Sequence, residues 1–174
     1  MTIVGIDPGS HRIGYAVING DRHKPALVRA ETIEFAPGLA AFKRLPLVAA
    51  ALAERFERDQ PVGIAVERLF FAKNVNTALP VAETRGIILL TAARAVSSIW
   101  EYTPLEVKLA VTGSGNAAKA DVKKMLALTF GAHALPRGDD AIDAIAIALT
   151  ALARGASPHG DAAGPKPHPA SFPS

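Results

Sequence analysis

No cysteine occurs at any of the 174 positions, which removes disulfide frameworks, thiolate zinc sites, iron–sulfur clusters and cysteine nucleophiles together. Any metal must then be held by oxygen or imidazole. The histidines (His11, His23, His133, His159 and His168) show no zinc-ligand spacing, and neither a G-x-S-x-G nor a Walker A sequence is present. No uninterrupted apolar run approaches the ~20 residues that a bilayer crossing needs. The opening MTIVGIDPGS also lacks the basic start and long apolar stretch of a signal peptide. A soluble, cytoplasmic protein is the expectation. There is no internal repeat. With 49% hydrophobic and 20% charged residues the composition is that of a globular protein with a real core, and the length suits one domain better than a two-domain kinase or synthetase.

The formal charge of +3 is unevenly spread. Residues 1–67 carry eight basic and eight acidic side chains, residues 68–137 nine and four, and residues 138–174 two and four. A basic middle beside an acid-containing C-terminal part suits a protein that handles a polyanion, with Lys and Arg on phosphates and carboxylates on metal. A solvated surface of mixed sign gives the same profile, so charge alone does not decide.

Residues 2–6 (TIVGI) and 13–19 (IGYAVIN) are β-branched runs around the turn cluster Pro8-Gly9-Ser10, which predicts two adjacent antiparallel strands. A third strand is expected from Ala26 to Phe35. Leu39, Phe42, Leu45, Val48, Leu52 and Phe56 then recur at helical spacing, with Pro46 predicting a kink or a later start. Val62 to Val66 reads as a buried parallel strand closed by Glu67. A helix is expected over Thr77 to Val96, with Thr77 as cap so that Pro80 falls in the first turn. Ser98 to Tyr102 reads as a strand. Thr103-Pro104 reads as a helix cap and first residue, and Ala120–Phe130 and Asp140–Arg154 as two closing helices. The order predicts an α/β protein of ribonuclease H-like fold, a mixed five-stranded sheet flanked by helices, over residues 1–154. Residues 155–174 hold five prolines and three glycines and one large apolar side chain, and a disordered Pro/Gly-rich tail is expected there.

Four acids stand out. Asp7 follows the strand TIVGI, at the strand end where α/β sheets place ligands, though Asp7-Pro8-Gly9 equally suits an Asx turn. Glu67 ends VGIAV, where it either joins a site or marks the strand's exit into solvent. Asp139 is expected to cap the last helix. Asp140 and Asp143 lie three apart and share a face near its start. Capping does not account for Asp143, because a carboxylate one turn into an apolar helix is costly without a cation and none follows at helical spacing. Two strand-end acids and two helical acids suit hard, oxygen-preferring Mg2+ or Mn2+ and hydrolysis of phosphodiesters by two ions ~4 Å apart.

Several motifs then agree in order and spacing. They are GIDPGS at 5–10 with Gly14, VE at 66–67 followed by FFAKN at 70–74, TRG at 84–86, EY at 101–102 with VK at 107–108, GSGNAAK at 113–119 and DAIDAIAIALT at 140–150. In these the chain resembles the RuvC family of Holliday junction resolvases, crossover junction endodeoxyribonucleases of ribonuclease H-like fold, over roughly residues 1–153. The resemblance implies that Asp7, Glu67, Asp140 and Asp143 hold two Mg2+ ions per subunit, with Mn2+ able to substitute. It places Phe70 against the opened centre of the junction, with Phe71 as a second candidate, and Lys108 and Lys119 near the scissile phosphate. Arg68 and Lys73 are further candidate DNA contacts. It also implies a homodimer that makes paired symmetric nicks with 5'-phosphate ends in recombination and repair, working with a branch-migration complex of RuvA and RuvB type. The Thr77–Val96 helix is the candidate dimer surface.

Other readings are a ribonuclease H-like nuclease for ribosomal RNA precursors, which shares a GIDPGSHRIG-like opening, and a non-catalytic junction-binding module. FFAKN and the Asp140/Asp143 pair speak against the first, and four intact acids against the second. An actin-like ATPase would need about twice this length. Removal of residues 155–174 is expected to leave the unfolding temperature and junction cleavage nearly unchanged, since that segment buries little. A large loss of cutting by the shortened chain would instead make the tail a DNA arm or a partner tether.

Overall fold

The computed structural model describes residues 1–68 and 75–154. Phe70, Phe71, Lys73 and the expected tail lie outside them. Three strands come first, β1 (Thr2–Asp7), β2 (Arg12–Gly20) and β3 (Pro25–Glu34), followed by helix α1 (Ala41–Asp59) and strand β4 (Gly63–Glu67). Helix α2 (Val75–Ala95), strand β5 (Ile99–Tyr102), and helices α3 (Pro104–Thr112), α4 (Lys119–Phe130) and α5 (Asp139–Ala153) complete the order. The sheet runs β3-β2-β1-β4-β5. Its β1/β2 and β2/β3 pairs are antiparallel, while β1/β4 and β4/β5 are parallel. This is the mixed five-stranded arrangement that the hydrophobic pattern predicts. Among the described residues no helix is long and apolar enough to cross a membrane.

Alternation along the central strands sends successive side chains to opposite faces. Val4, Ile6, Tyr15, Ile64 and Val66 pack on one face with Val48, Leu52 and Phe56 of α1 and Ile88 and Ala92 of α2. Ile3, Ala16, Ile18 and Ala65 pack on the other with Val107 and Val111 of α3, Val122 and Leu126 of α4, and most of α5. In α1 the buried ridge is Arg44, Val48, Leu52 and Phe56, a strict four-residue spacing. Phe42 lies two residues from that ridge, on the far side of the helix, and is exposed rather than buried. Pro46 sits inside an unbroken α1, and Pro80 is the sixth residue of α2 because that helix starts at Val75 and not Thr77. Each proline forfeits one backbone hydrogen bond near a helix start, which burial of the remaining helix outweighs.

Helix α3 begins as its sequence predicts. The Thr103 hydroxyl accepts from Glu106 N–H at 3.3 Å, and the Glu106 carboxylate accepts from Thr103 N–H at 2.8 Å, with Pro104 as first residue. Gly113 ends the helix in the left-handed conformation at φ 79°.

Ten residues of α5 are buried, and the helix lies directly on β1 and β2. Glycine makes that approach feasible. A Cβ on Gly5 would fall 2.6 Å from the Ala148 nitrogen and 2.8 Å from the Ala148 Cβ, and one on Gly14 would fall 2.6 Å from the Asp140 carbonyl carbon. Because these neighbours are mostly backbone, a side chain at either position must move the whole helix. Gly5→Ala is therefore expected to cost about 1–3 kcal/mol of stability, measured by denaturant unfolding. An unchanged midpoint would show that α5 shifts at no cost.

Candidate active site

Asp7 and Glu67 are the last residues of two neighbouring parallel strands, with Ile6 opposite Val66 in the register. They also share a face. Gly5 packs against α5, so Asp7, two residues on, points to the same side. Ala65 lies in the cluster beneath α5 and Val66 in the opposite one, which carries Glu67 to the α5 face as well. The Cβ of Asp7 lies 3.1 Å from the position a Gly14 Cβ would take, beside the Asp140 backbone. Sheet register and the α5 crossing thus bring the two strand-end acids to the start of α5, where Asp140 lies in the first turn and Asp143 one turn in. The N-cap of α5 is Gly138, so Asp139 is the first helical residue and not the cap expected from sequence; its side chain makes no capping hydrogen bond.

The electrostatics follow from this convergence. Burial, then the charges of Glu67, Asp143 and Asp140, push the Asp7 carboxyl up to about 8. Burial and Asp143 push Glu67 up to about 7. Two cations partly offset the clustered negative charge. Lys119 Nζ donates to Asp143 Oδ2 at 3.0 Å, and Arg12 Nε donates to Asp140 Oδ2 at 2.9 Å. Lys119 is the first residue of α4, which supplies the cation that α5 itself lacks. With Asp140 and Asp143 so engaged, no three acid or histidine side chains among the described residues are gathered as a ready-made metal cage. The donor set nonetheless fits a hard cation. It is all oxygen, half-buried at Asp7 and Glu67, and the raised proton affinity of those two acids is what a divalent ion beside them would relieve.

Lys108, on α3, and Lys119 both line a cavity of about 310 Å3 together with Glu67, Asp143, Val107 and Val122. The structure therefore groups both lysines singled out in the sequence with two of the four acids. Arg68 follows Glu67 and donates its backbone N–H to the Tyr102 carbonyl at 2.7 Å. Phe70, Phe71 and Lys73, in the segment that follows, lie outside the described residues. A larger groove of about 530 Å3 lies between α1 and α2, on the opposite face of the sheet, and holds none of the four acids.

Two residues near the acids had no role in the sequence reading. Arg12, first residue of β2, shares Asp140 with the site and pairs with Glu34 at 3.0 Å. Its signal was available in the alternation that puts Arg12 on the Gly14 side of β2. Arg85 of the TRG motif donates to the Glu67 carbonyl at 3.3 Å and pairs with Glu101 on β5, fixing the backbone from which Glu67 projects.

With this geometry in place, comparison with known proteins decides the family. The family model described as Crossover junction endodeoxyribonuclease RuvC matches residues 3–151. The chain belongs to the RuvC family. It is 42% identical to the crossover junction endodeoxyribonuclease RuvC of Roseiflexus sp. over 146 residues, 84% of this chain and 87% of that one. It is likewise 42% identical to the RuvC of Moorella thermoacetica over 149 residues, 86% and 89% of the two chains. Among solved structures, Thermus thermophilus RuvC in complex with a Holliday junction substrate superposes with a TM-score of 0.80 at 34% identity, over 86% of this chain and 92% of that one. The ribonuclease H-like fold expected from sequence is thus the fold of this family, a family of nucleases that use a divalent metal.

The raised Asp7 carboxyl has a consequence for stability. Its folded value, about 8, lies above the ordinary 3.8, so the folded state holds a proton that the unfolded chain releases. The resulting penalty is absent below about pH 4, grows as pH rises, and is complete above about pH 8. In chelator, Asp7→Asn is expected to match the parent near pH 4 and exceed it at pH 8 by more than about 1 kcal/mol in denaturant unfolding. A gap independent of pH would show that Asp7 titrates normally.

Proposed function

We propose that this chain is a homodimeric, structure-selective endonuclease that resolves four-way DNA junctions by paired symmetric nicks in recombination and repair. The observation that carries the catalytic part is the convergence of two strand-end carboxylates on the first turn of α5. Asp7, Glu67, Asp140 and Asp143 would hold divalent metal, two Mg2+ per subunit with Mn2+ as substitute. Metal bound there supplies an activated water and stabilises the departing oxygen of a phosphodiester.

The chain's own groups do the rest. Asp7, which feels the charge of the other three acids, would be the central ligand. Lys108 and Lys119, on the wall of the adjacent cavity, neutralise the phosphate that enters it. Phe70, with Phe71 as the second candidate, stacks on unpaired bases at the junction centre, where an aromatic ring gains ~1–3 kcal/mol per base without reading sequence. Arg68 and Lys73 add backbone contacts.

The dimer would form through α2. Leu79, Glu83, Gly86 and Leu90 fall on one side of that helix, Leu79 and Leu90 are exposed, and a Cβ on Gly86 would meet nothing within 4 Å. Two exposed leucines flanking a glycine, with Glu83 between them tied to Arg44 at 3.4 Å, would suit close packing of two copies of the same helix. Two-fold symmetry would then set two sites on opposed strands, so that both cuts occur within one complex. The protein would act on DNA in the cytoplasm, with a branch-migration complex of RuvA and RuvB type. Family membership favours this reading over processing of ribosomal RNA precursors and over a non-catalytic junction-binding module.

The test compares immobile and mobile four-way junctions, linear duplex and structured RNA, with Mg2+ and without. Only the junctions should be cut, and only with metal. Asp7→Asn, Glu67→Gln, Asp140→Asn and Asp143→Asn should each abolish cutting while junction binding persists, because amides lose the charge that holds metal whereas affinity rests on Lys and Arg. Phe70→Ala should slow cutting at least ~10-fold, the effect of about 1.4 kcal/mol. On a cruciform plasmid the parent should yield linear product; nicked circles alone would contradict the dimer. Cutting at the normal rate by Asp143→Asn would remove that residue from the site.

A further inference from the structure

Arg12 stands between two carboxylates that belong to different parts of the fold. It opens β2 directly opposite Glu34, the last residue of β3, and its Nη1 lies 3.0 Å from Glu34 Oε1. Its Nε donates to Asp140 Oδ2 at 2.9 Å. The two ends of this bridge differ in freedom. The root of Asp140 is fixed, because the α5 backbone at Asp140 rests on Gly14 with no room for a methyl group. Arg12 is a long side chain, more than half exposed, and Glu34 is more exposed still.

We propose that Arg12 is a positioning residue for Asp140, holding its carboxylate while no divalent ion is bound and competing with the ion for it. This rests on the reading of Asp140 as a metal ligand. Glu34 sets the strength of the competition. While Glu34 shares the guanidinium, Arg12 pulls on Asp140 with only part of its charge; without Glu34 it pulls with all of it. The arrangement keeps one acid of a repelling group neutralised in the metal-free protein, and it makes the affinity for metal depend on a residue that need touch neither metal nor DNA.

The experiment is a Mn2+ titration of the full-length chain without DNA, read by the electron paramagnetic resonance of free Mn2+. The variants are Arg12→Ala, Glu34→Gln, the two combined, and Asp140→Asn. An exposed pair of this kind is expected to change affinity by about threefold. Arg12→Ala should therefore tighten Mn2+ binding about threefold, and Glu34→Gln should weaken it about twofold. In the Arg12→Ala background Glu34→Gln should have no further effect, because its influence runs through the guanidinium. If Glu34→Gln weakens binding equally with and without Arg12, the effect is a general field and the proposal fails. It also fails if Arg12→Ala leaves affinity unchanged or lowers it while Asp140→Asn weakens binding, and in that case the metal site stands. If Asp140→Asn binds Mn2+ like the parent, Asp140 is not a ligand, and the inference falls together with that part of the proposed function.

Discussion

Like charges brought together under partial burial are the constraint on which this molecule turns. Asp7 and Glu67 repel each other and the acids of α5, and burial raises the cost of charging both. Nothing in the hydrophobic pattern requires such an arrangement. The protein tolerates it by protonation and by two cations borrowed from elsewhere in the chain, Lys119 from α4 and Arg12 from β2. Both pairs are partly exposed, and such pairs contribute only modestly to stability. A stronger ligand for the carboxylates, such as the proposed divalent ion, would displace them.

The rest of the fold creates this local tension and absorbs it. The sheet supplies two parallel strand ends side by side. Glycines at 5 and 14 let α5 lie close enough for its first turn to reach those ends. The opposite face, filled by Tyr15, Val48, Leu52, Phe56, Ile64 and Ile88, carries no such compromise. There the buried Tyr15 hydroxyl donates to Asp59 at 2.9 Å, and Arg29 and Arg58 flank that carboxylate. Buried apolar area on both faces anchors the sheet and helices from which the four acids project.

Local chemistry was legible in the sequence. The Thr103-Pro104 start of α3, the buried run from Gly63 to Val66 ahead of Glu67 and the apolar stretch of α5 after Asp143 each follow from neighbouring residues, although Val62, expected in the run, is exposed. The misplacements have a common origin. Phe42 belongs to the apolar series at helical spacing, yet tertiary packing buries the four-residue ridge through Arg44 and leaves Phe42 exposed. Pro80 points to a helix start at Thr77, whereas α2 begins at Val75 and carries the proline past its first turn. Asp143 was recognised as unpaired within its own helix, but its partner lies 24 residues away, and the partner of Asp140 lies 128 residues away. Such contacts depend on strand register and on how close glycine lets a helix come, which a single sequence states only indirectly. The family motifs bridged that gap for the acids and for Lys119. They offered no hint of Arg12.

In the proposed function, residues from three distant segments would together hold divalent metal. Iron-directed cleavage of the polypeptide tests it most directly: Fe2+ replaces Mg2+, ascorbate and peroxide generate hydroxyl radicals at the bound ion, and the fragments are mapped by mass spectrometry. Cuts clustered near Asp7, near Glu67 and across Asp140–Asp143, all suppressed by excess Mg2+, are the predicted result. Cuts confined to other acids such as Glu31 and Asp59, or cuts that Mg2+ does not suppress, would contradict it.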